Sequence, residues 1–159
     1  MRPEPAMSDP DDQQPAPSLR SFRFLSALAL APFVVLALWL AGIADDHPWR
    51  GATVDLLKAY AALTLCFVGG ARWGIADGGV ATAPRDLAAG LLALFVGWAL
   101  FFVPMPYGFA LFAVAFAAQG AWNAVAAPDG GATARFARSR LFATVVIVGA
   151  MILAFLTTA

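Results

Sequence analysis

Five stretches of the chain are almost continuously apolar, and short polar, proline-rich or glycine-rich segments separate them. They cover about 22–44, 53–76, 86–103, 107–127 and 139–158. Each is near or above the roughly 20 residues that an α-helix needs to cross the hydrocarbon of a bilayer. Their apolar residues run on without the period-two alternation of a membrane β-barrel. The pattern predicts an all-α fold: a polytopic membrane protein with five transmembrane helices in one bundle, built from residues 21–159. Residues 1–20 (MRPEPAMSDPDDQQPAPSLR) are polar, acidic and proline-rich. They hold too little apolar surface to bury, which predicts a disordered N-terminal tail. Met1 and Met7 both stand as candidate starts. The first apolar run is too long for a typical secretory signal core, although its Gly42-Ile43-Ala44 end resembles a cleavage site.

The breaks between the runs are turn signals. DDHPWRGA spans 45–52, a glycine-rich segment covers Asp77 to Arg85, Pro104-Met105-Pro106 ends the third run, and Pro128-Asp129-Gly130-Gly131 opens a basic loop. Pro32 lies inside the first span and is expected to kink it; a neighbouring helix can satisfy the backbone group this frees. No internal repeat is visible, so the inverted-repeat plan of many transporters gains no support.

Composition sharpens the class. The chain has 159 residues, 61% of them hydrophobic and 13% charged. Its formal net charge of +0 offers nothing to a nucleic acid. One cysteine, Cys66, excludes an internal disulfide and a cysteine-based zinc site. Arginine far outnumbers lysine, and alanine and glycine are abundant, a bias expected of a GC-rich bacterial genome. With five spans, Arg2, Arg20, Arg23, Arg72, Arg85, Arg135, Arg138 and Arg140 share one side, against Arg50 and Lys58 on the other. The positive-inside rule then places the N-terminus inside and the C-terminus outside a bacterial cytoplasmic membrane. Trp39, Tyr60, Trp98 and Tyr107 fall toward the outer ends of spans, and Trp73 and Trp122 toward the inner ends, as interfacial belts do.

Little of the polar inventory suggests chemistry. HExxH, CxxC, GxSxG and GxxxxGK[ST] are all missing, and no span carries a central carboxylate. No activated nucleophile or acid–base pair is visible, so the expectation is a protein that is not an enzyme and takes no cofactor. Asp45-Asp46-His47 is too small a set to make a metal site by itself. Asp55 and Lys58, three residues apart, are expected to form a surface ion pair. Arg135, Arg138 and Arg140 read as topology signals and contacts for lipid phosphate.

Span two is the most informative. Ala62, Cys66, Gly70 and Gly74 recur every four residues, with Gly70 and Gly74 forming GxxxG. Small residues at this spacing let two helices approach closely in lipid, either within one chain or between copies. At 100° per residue, Arg72 lies about 200° from Gly70 and points away from that stripe. Lys58 and Arg72 are two heptads apart, so one reading has them anchoring span two at opposite interfaces by snorkelling. A second reading joins Arg72 to Gln119 and Asn123, one turn apart on span four. If spans two and four are neighbours, the three make a polar pocket open to the inside, suited to a small anion or a lipid head group. The two amides alternatively serve as hydrogen-bonded glue between helices.

Tyr60, then Phe67-Val68-Gly69-Gly70, then Arg72-Trp73-Gly74 resemble the signature of a family of small five-span bacterial membrane proteins. That family is a domain of unknown function related to transmembrane protein sixty-nine. Its proline–phenylalanine pair in helix one is matched by Pro32-Phe33, and its arginine-containing start of the last helix by Arg138 to Leu141. The resemblance implies that Gly69, Gly70, Arg72, Trp73 and Gly74 act as a unit, and it implies no reaction, substrate or cofactor. Two expectations remain. One is a structural or accessory inner-membrane protein that packs through helix two, with the bilayer and a membrane protein or second copy as partners. The other is binding or transport of a small anion or lipid head group around Arg72.

Overall fold

The computed structural model describes residues 19–76, 84–125 and 131–159, without the side chains of 19–23, 71–76, 85–86, 123–125 and 131–139. Residues 1–18 of the expected tail, 77–83 of the turn after span two and the start of the 4–5 loop lie outside the described residues, while Leu19 and Arg20 already belong to the first helix and Pro84 and Arg85 to the third. All regular structure within them is helical: α1 Leu19–Gly42, α2 Arg50–Ala76, α3 Pro84–Phe101, α4 Tyr107–Val125 and α5 Gly131–Thr158. Four helices start earlier than the hydropathy suggests, α1 by three residues and α3 by two, and α2 and α5 as follows. α2 begins at Arg50, whose N–H donates to the His47 carbonyl at 2.9 Å. α5 begins at Gly131, because the ATARFARSR stretch, although polar, is rich in the helix formers alanine and arginine.

Among the described residues three helices are long and apolar enough to cross a membrane, through Phe24–Gly42, Arg50–Gly70 and Arg140–Thr158. α3 and α4 hold shorter apolar stretches, Leu87–Phe101 and Tyr107–Trp122. The molecule is apolar outside as well as inside. Phe67 is 76% exposed, and Phe24, Leu63, Phe95, Trp98 and Phe142 are also mostly open. An apolar surface this continuous would aggregate in water and is covered by lipid in a membrane.

The helices form a closed ring. α2 packs on α1 and α3, α5 packs on α1 and α4, and lighter contacts join α4 to α3 and to α2. α1, α2, α4 and α5 supply nearly all of the buried core, including Phe33, Leu57, Leu65, Phe109, Phe112 and Met151. Among the described core residues α3 adds only Ala93. It is held instead by a close seam on α2. A Cβ at Gly69 would come within 2.8 Å of the Gly90 carbonyl and of Ala93 Cβ; one at Gly97 would come within 3.0 Å of the Ala62 carbonyl and 3.1 Å of Cys66 Sγ. Gly120 gives the same closeness between α4 and α5, against Thr144.

The seam uses Ala62, Cys66 and Gly69, and Gly70 is not in it: Gly70 is exposed, with nothing within 4 Å of an added Cβ. Steps of four residues advance about 40° beyond a full turn, so a strict four-residue stripe rotates off a partner, while alternating steps of four and three stay on it. Gly74 lies outside the described side chains.

Candidate functional site

The polar groups inside this bundle fall into three places. The first is the end where α1, α3 and α5 finish and α2 begins. A helix C-terminus leaves carbonyls without partners and carries partial negative charge. None of these three helices has a basic residue in its last turn. α2 supplies the cations. Arg50 donates through Nη1 to the carbonyls of Ile43 at 3.3 Å and Leu40 at 3.5 Å, and through Nη2 to the Thr157 carbonyl. The same Nη2 lies 2.8 Å from Asp45. One guanidinium therefore closes the ends of α1 and α5 together.

Lys58, two turns further along α2, closes the third. Its Nζ donates to the Val103 carbonyl just past α3, at 2.8 Å, and sits 5.7 Å from the centre of the Phe101 ring. Lys58 is only 8% exposed. It therefore does not snorkel to the interface, and it does not pair with Asp55: the ion pair among the described residues is Arg50 with Asp45. Position 58 faces the neighbouring helices, and a short reach to a bare carbonyl replaces a long reach to water. Nearby, His47 Nδ1 accepts from the Trp49 N–H at 3.2 Å and its ring packs edge-on against Trp39. No group of three metal-ligating side chains gathers here or elsewhere among the described residues.

The second place is the turn of α1 before Pro32, inside one continuous helix from Leu19 to Gly42. Pro32 has no N–H to offer the preceding turn. The Tyr60 hydroxyl reaches that turn from α2 and donates to the Ala29 carbonyl at 2.9 Å. Phe33 meets Tyr60 edge-to-face at 5.0 Å and Phe116 at 5.9 Å between ring centres. So Phe33 and Tyr60, expected as separate motif positions, meet in one cluster that joins α1, α2 and α4 beside Pro32.

The third place is a cleft between the first half of α3 and the second half of α4, with Leu65 of α2 at its base. Gln119 lines it, and its Nε2 is buried with no hydrogen-bond partner. Leu92, Ala93, Ala118 and Trp122 form much of the remaining wall. α2 and α4 touch, as the proposed pocket requires. The side chains of Arg72, Trp73 and Asn123 lie outside the described ones, so of Arg72, Gln119 and Asn123 only Gln119 is placed.

Sequence reasoning counted Arg50 toward topology alone and gave Lys58 a surface ion pair with Asp55 or an anchoring place at the interface. The available signal was indirect: three helices ending without a cation of their own, and two cations at the start of a fourth.

An all-helical ring with an apolar exterior and cations turned inward onto helix ends is the build of a helical membrane protein. Residues 18–156 match the model of a family described as a protein of unknown function (DUF3429), and the chain belongs to that family. No curated protein and no solved structure matches it.

Proposed function

We propose that the chain is a multi-pass protein of the bacterial cytoplasmic membrane, structural or accessory in role, that packs against a partner through α2. The expected kinship with transmembrane protein sixty-nine, and a role without catalysis, belong to this reading. α3 and α4, at 18 and 19 residues, reach about 27 and 28 Å at 1.5 Å per residue, close to the ~30 Å hydrocarbon thickness, so all five helices cross. The observation that carries the reading is the outward ridge of α2. Leu63, Phe67 and Gly70 are all exposed, and the space above Gly70 is open. A glycine between large apolar residues gives a second helix a notch to enter.

The test is disulfide cross-linking in native membranes, in a Cys66→Ala background. Gly70→Cys is expected to give a cross-linked species, either a dimer or an adduct with another protein. Ile152→Cys, exposed on α5, is the control and is expected to stay monomeric. A Gly70→Cys chain that never cross-links sinks the reading.

One observation favours a second reading, a site for a small anion or lipid head group around Arg72, Gln119 and Asn123: the unpartnered amide of Gln119. A bidentate guanidinium contact does not survive exchange for an ammonium. Arg72→Lys is therefore expected to fail in a knockout background, and full rescue would remove the reading.

A further inference from the structure

The chain enters α2 through a histidine. His47 stands at the joint of two turns: its N–H donates to the Ala44 carbonyl at 3.1 Å, and its own carbonyl accepts the Arg50 N–H at 2.9 Å. Pro48 comes next and has no N–H, so the Trp49 N–H is the first that the new turn must satisfy. His47 Nδ1 accepts it at 3.2 Å. A side chain that accepts an N–H from the opening turn of a helix is an N-cap, a place usually filled by serine, threonine, aspartate or asparagine. Here an imidazole fills it. His47 is the only histidine in the chain. It is half-buried, and Trp39 of α1 packs edge-on against its ring.

Only one charge state of the ring can act as this cap. A neutral imidazole has one acceptor nitrogen, whereas an imidazolium has two donors and no acceptor. Protonation therefore removes the bond to Trp49. It also adds positive charge where a helix N-terminus already carries some. Imidazole is the side chain suited to such a change between about pH 5 and 8. The charged side chains at this end of the bundle are Asp45, Asp46, Arg50, Asp55 and Lys58, and Tyr107 is the other titratable one; the last turns of α1, α3 and α5 bring none. Asp45 and Asp46 attract the added charge and Arg50 repels it, but none of them alters which form can accept.

The turn matters because it carries Arg50, three residues past His47. The same guanidinium holds the ends of α1 and α5 and meets Asp45 at 2.8 Å. We propose that His47 is an acid-operated latch: neutral, it caps the first turn of α2; protonated, it releases that turn and loosens the hold of Arg50 on α1 and α5. The cap is present at the higher pH and lost as the pH falls. In the proposed orientation this end faces outside, so the acid sensed is that of the outer compartment. The latch itself does not depend on what α2 packs against.

The test is backbone hydrogen exchange, read by mass spectrometry on the full chain in lipid nanodiscs at about pH 7.5 and about pH 5, either side of the imidazole range. His47→Asn keeps a cap that pH does not touch, and His47→Ala has none. Comparison at one pH cancels the pH dependence of the exchange chemistry. At the higher pH the wild type is expected to match His47→Asn over residues 49–53 and to exchange about fivefold more slowly than His47→Ala, the usual worth of an N-cap. At the lower pH the wild type is expected to join His47→Ala, while His47→Asn keeps its protection. Exchange in the last turn of α5, residues 155–158, is expected to rise with it. A wild type that follows His47→Asn at both pH values, or a His47→Asn that exchanges as fast as His47→Ala, would overturn the latch. Opening at 49–53 with no change at 155–158 would overturn its link through Arg50.

Discussion

At the scale of single residues, Arg50 does work that two separate capping residues would otherwise divide. Its guanidinium is planar, with five donors, so one side chain reaches carbonyls on two helices and a carboxylate. Hydrogen bonds to charged groups contribute about 1.5–3 kcal/mol each where well made, and the longer ones here less. Arg50→Ala is expected to cost about 2–3 kcal/mol, seen as a lower melting temperature in detergent. Arg50→Lys is expected to recover less than half, because an ammonium cannot span both helix ends. Asp45 is 94% exposed, so Asp45→Asn is expected to change stability by less than about 0.5 kcal/mol, as exposed ion pairs do.

Lys58 is the only lysine in the chain. That makes an amine-reactive label a clean reporter of its burial. In the folded protein the label is expected on the N-terminal amine alone, with Lys58 modified only after denaturation. Prompt labelling of Lys58 in the native state would contradict its bond to Val103.

At the scale of helices, two adjacent glycines should behave oppositely. An added methyl at Gly69 overlaps the Gly90 backbone and Ala93, so Gly69→Ala is expected to destabilise the α2–α3 seam by about 1–3 kcal/mol, the usual cost of overpacking. Gly70 has open space above it. There the gain in helix propensity stands alone, and Gly70→Ala is expected to be neutral or stabilising by up to ~1 kcal/mol. Parallel thermal melts of the two variants check this. The α1–α2 contact divides in a similar way. Tyr60→Phe keeps the ring against Phe33 but drops the bond to Ala29, at an expected cost of about 1 kcal/mol. Tyr60→Ala loses the ring packing too and is expected to cost clearly more.

At the scale of the whole molecule, the charge distribution is the basis of a proposed topology. Arg50 and Lys58, the cations on one side of the five-span map, are both committed to helix ends. The remaining arginines of the sequence fall on the other side of that map, and the positive-inside rule is the basis of the proposed orientation, N-terminus inside and C-terminus outside. A periplasm-active reporter fused after Ala159 is expected to be active, and the same reporter fused to the N-terminus inactive. The reverse result would invert the map.

Hydropathy by itself determined that this is an all-helical membrane protein and where its five helices lie. Burial in lipid is a local property, written into each run of apolar residues without reference to the others. The proline within α1 and the polar oddity of Gln119 were legible for the same reason. Neighbours were not. Whether Gly69 or Gly70 enters a seam turns on a 100° step in register, and that register depends on which helix lies alongside. Whether Arg50 is a surface charge or a cap depends on the end of α5, 107 residues away in the chain. A cation in a low-dielectric bundle goes to the nearest bare carbonyls, and only the tertiary packing decides which carbonyls those are.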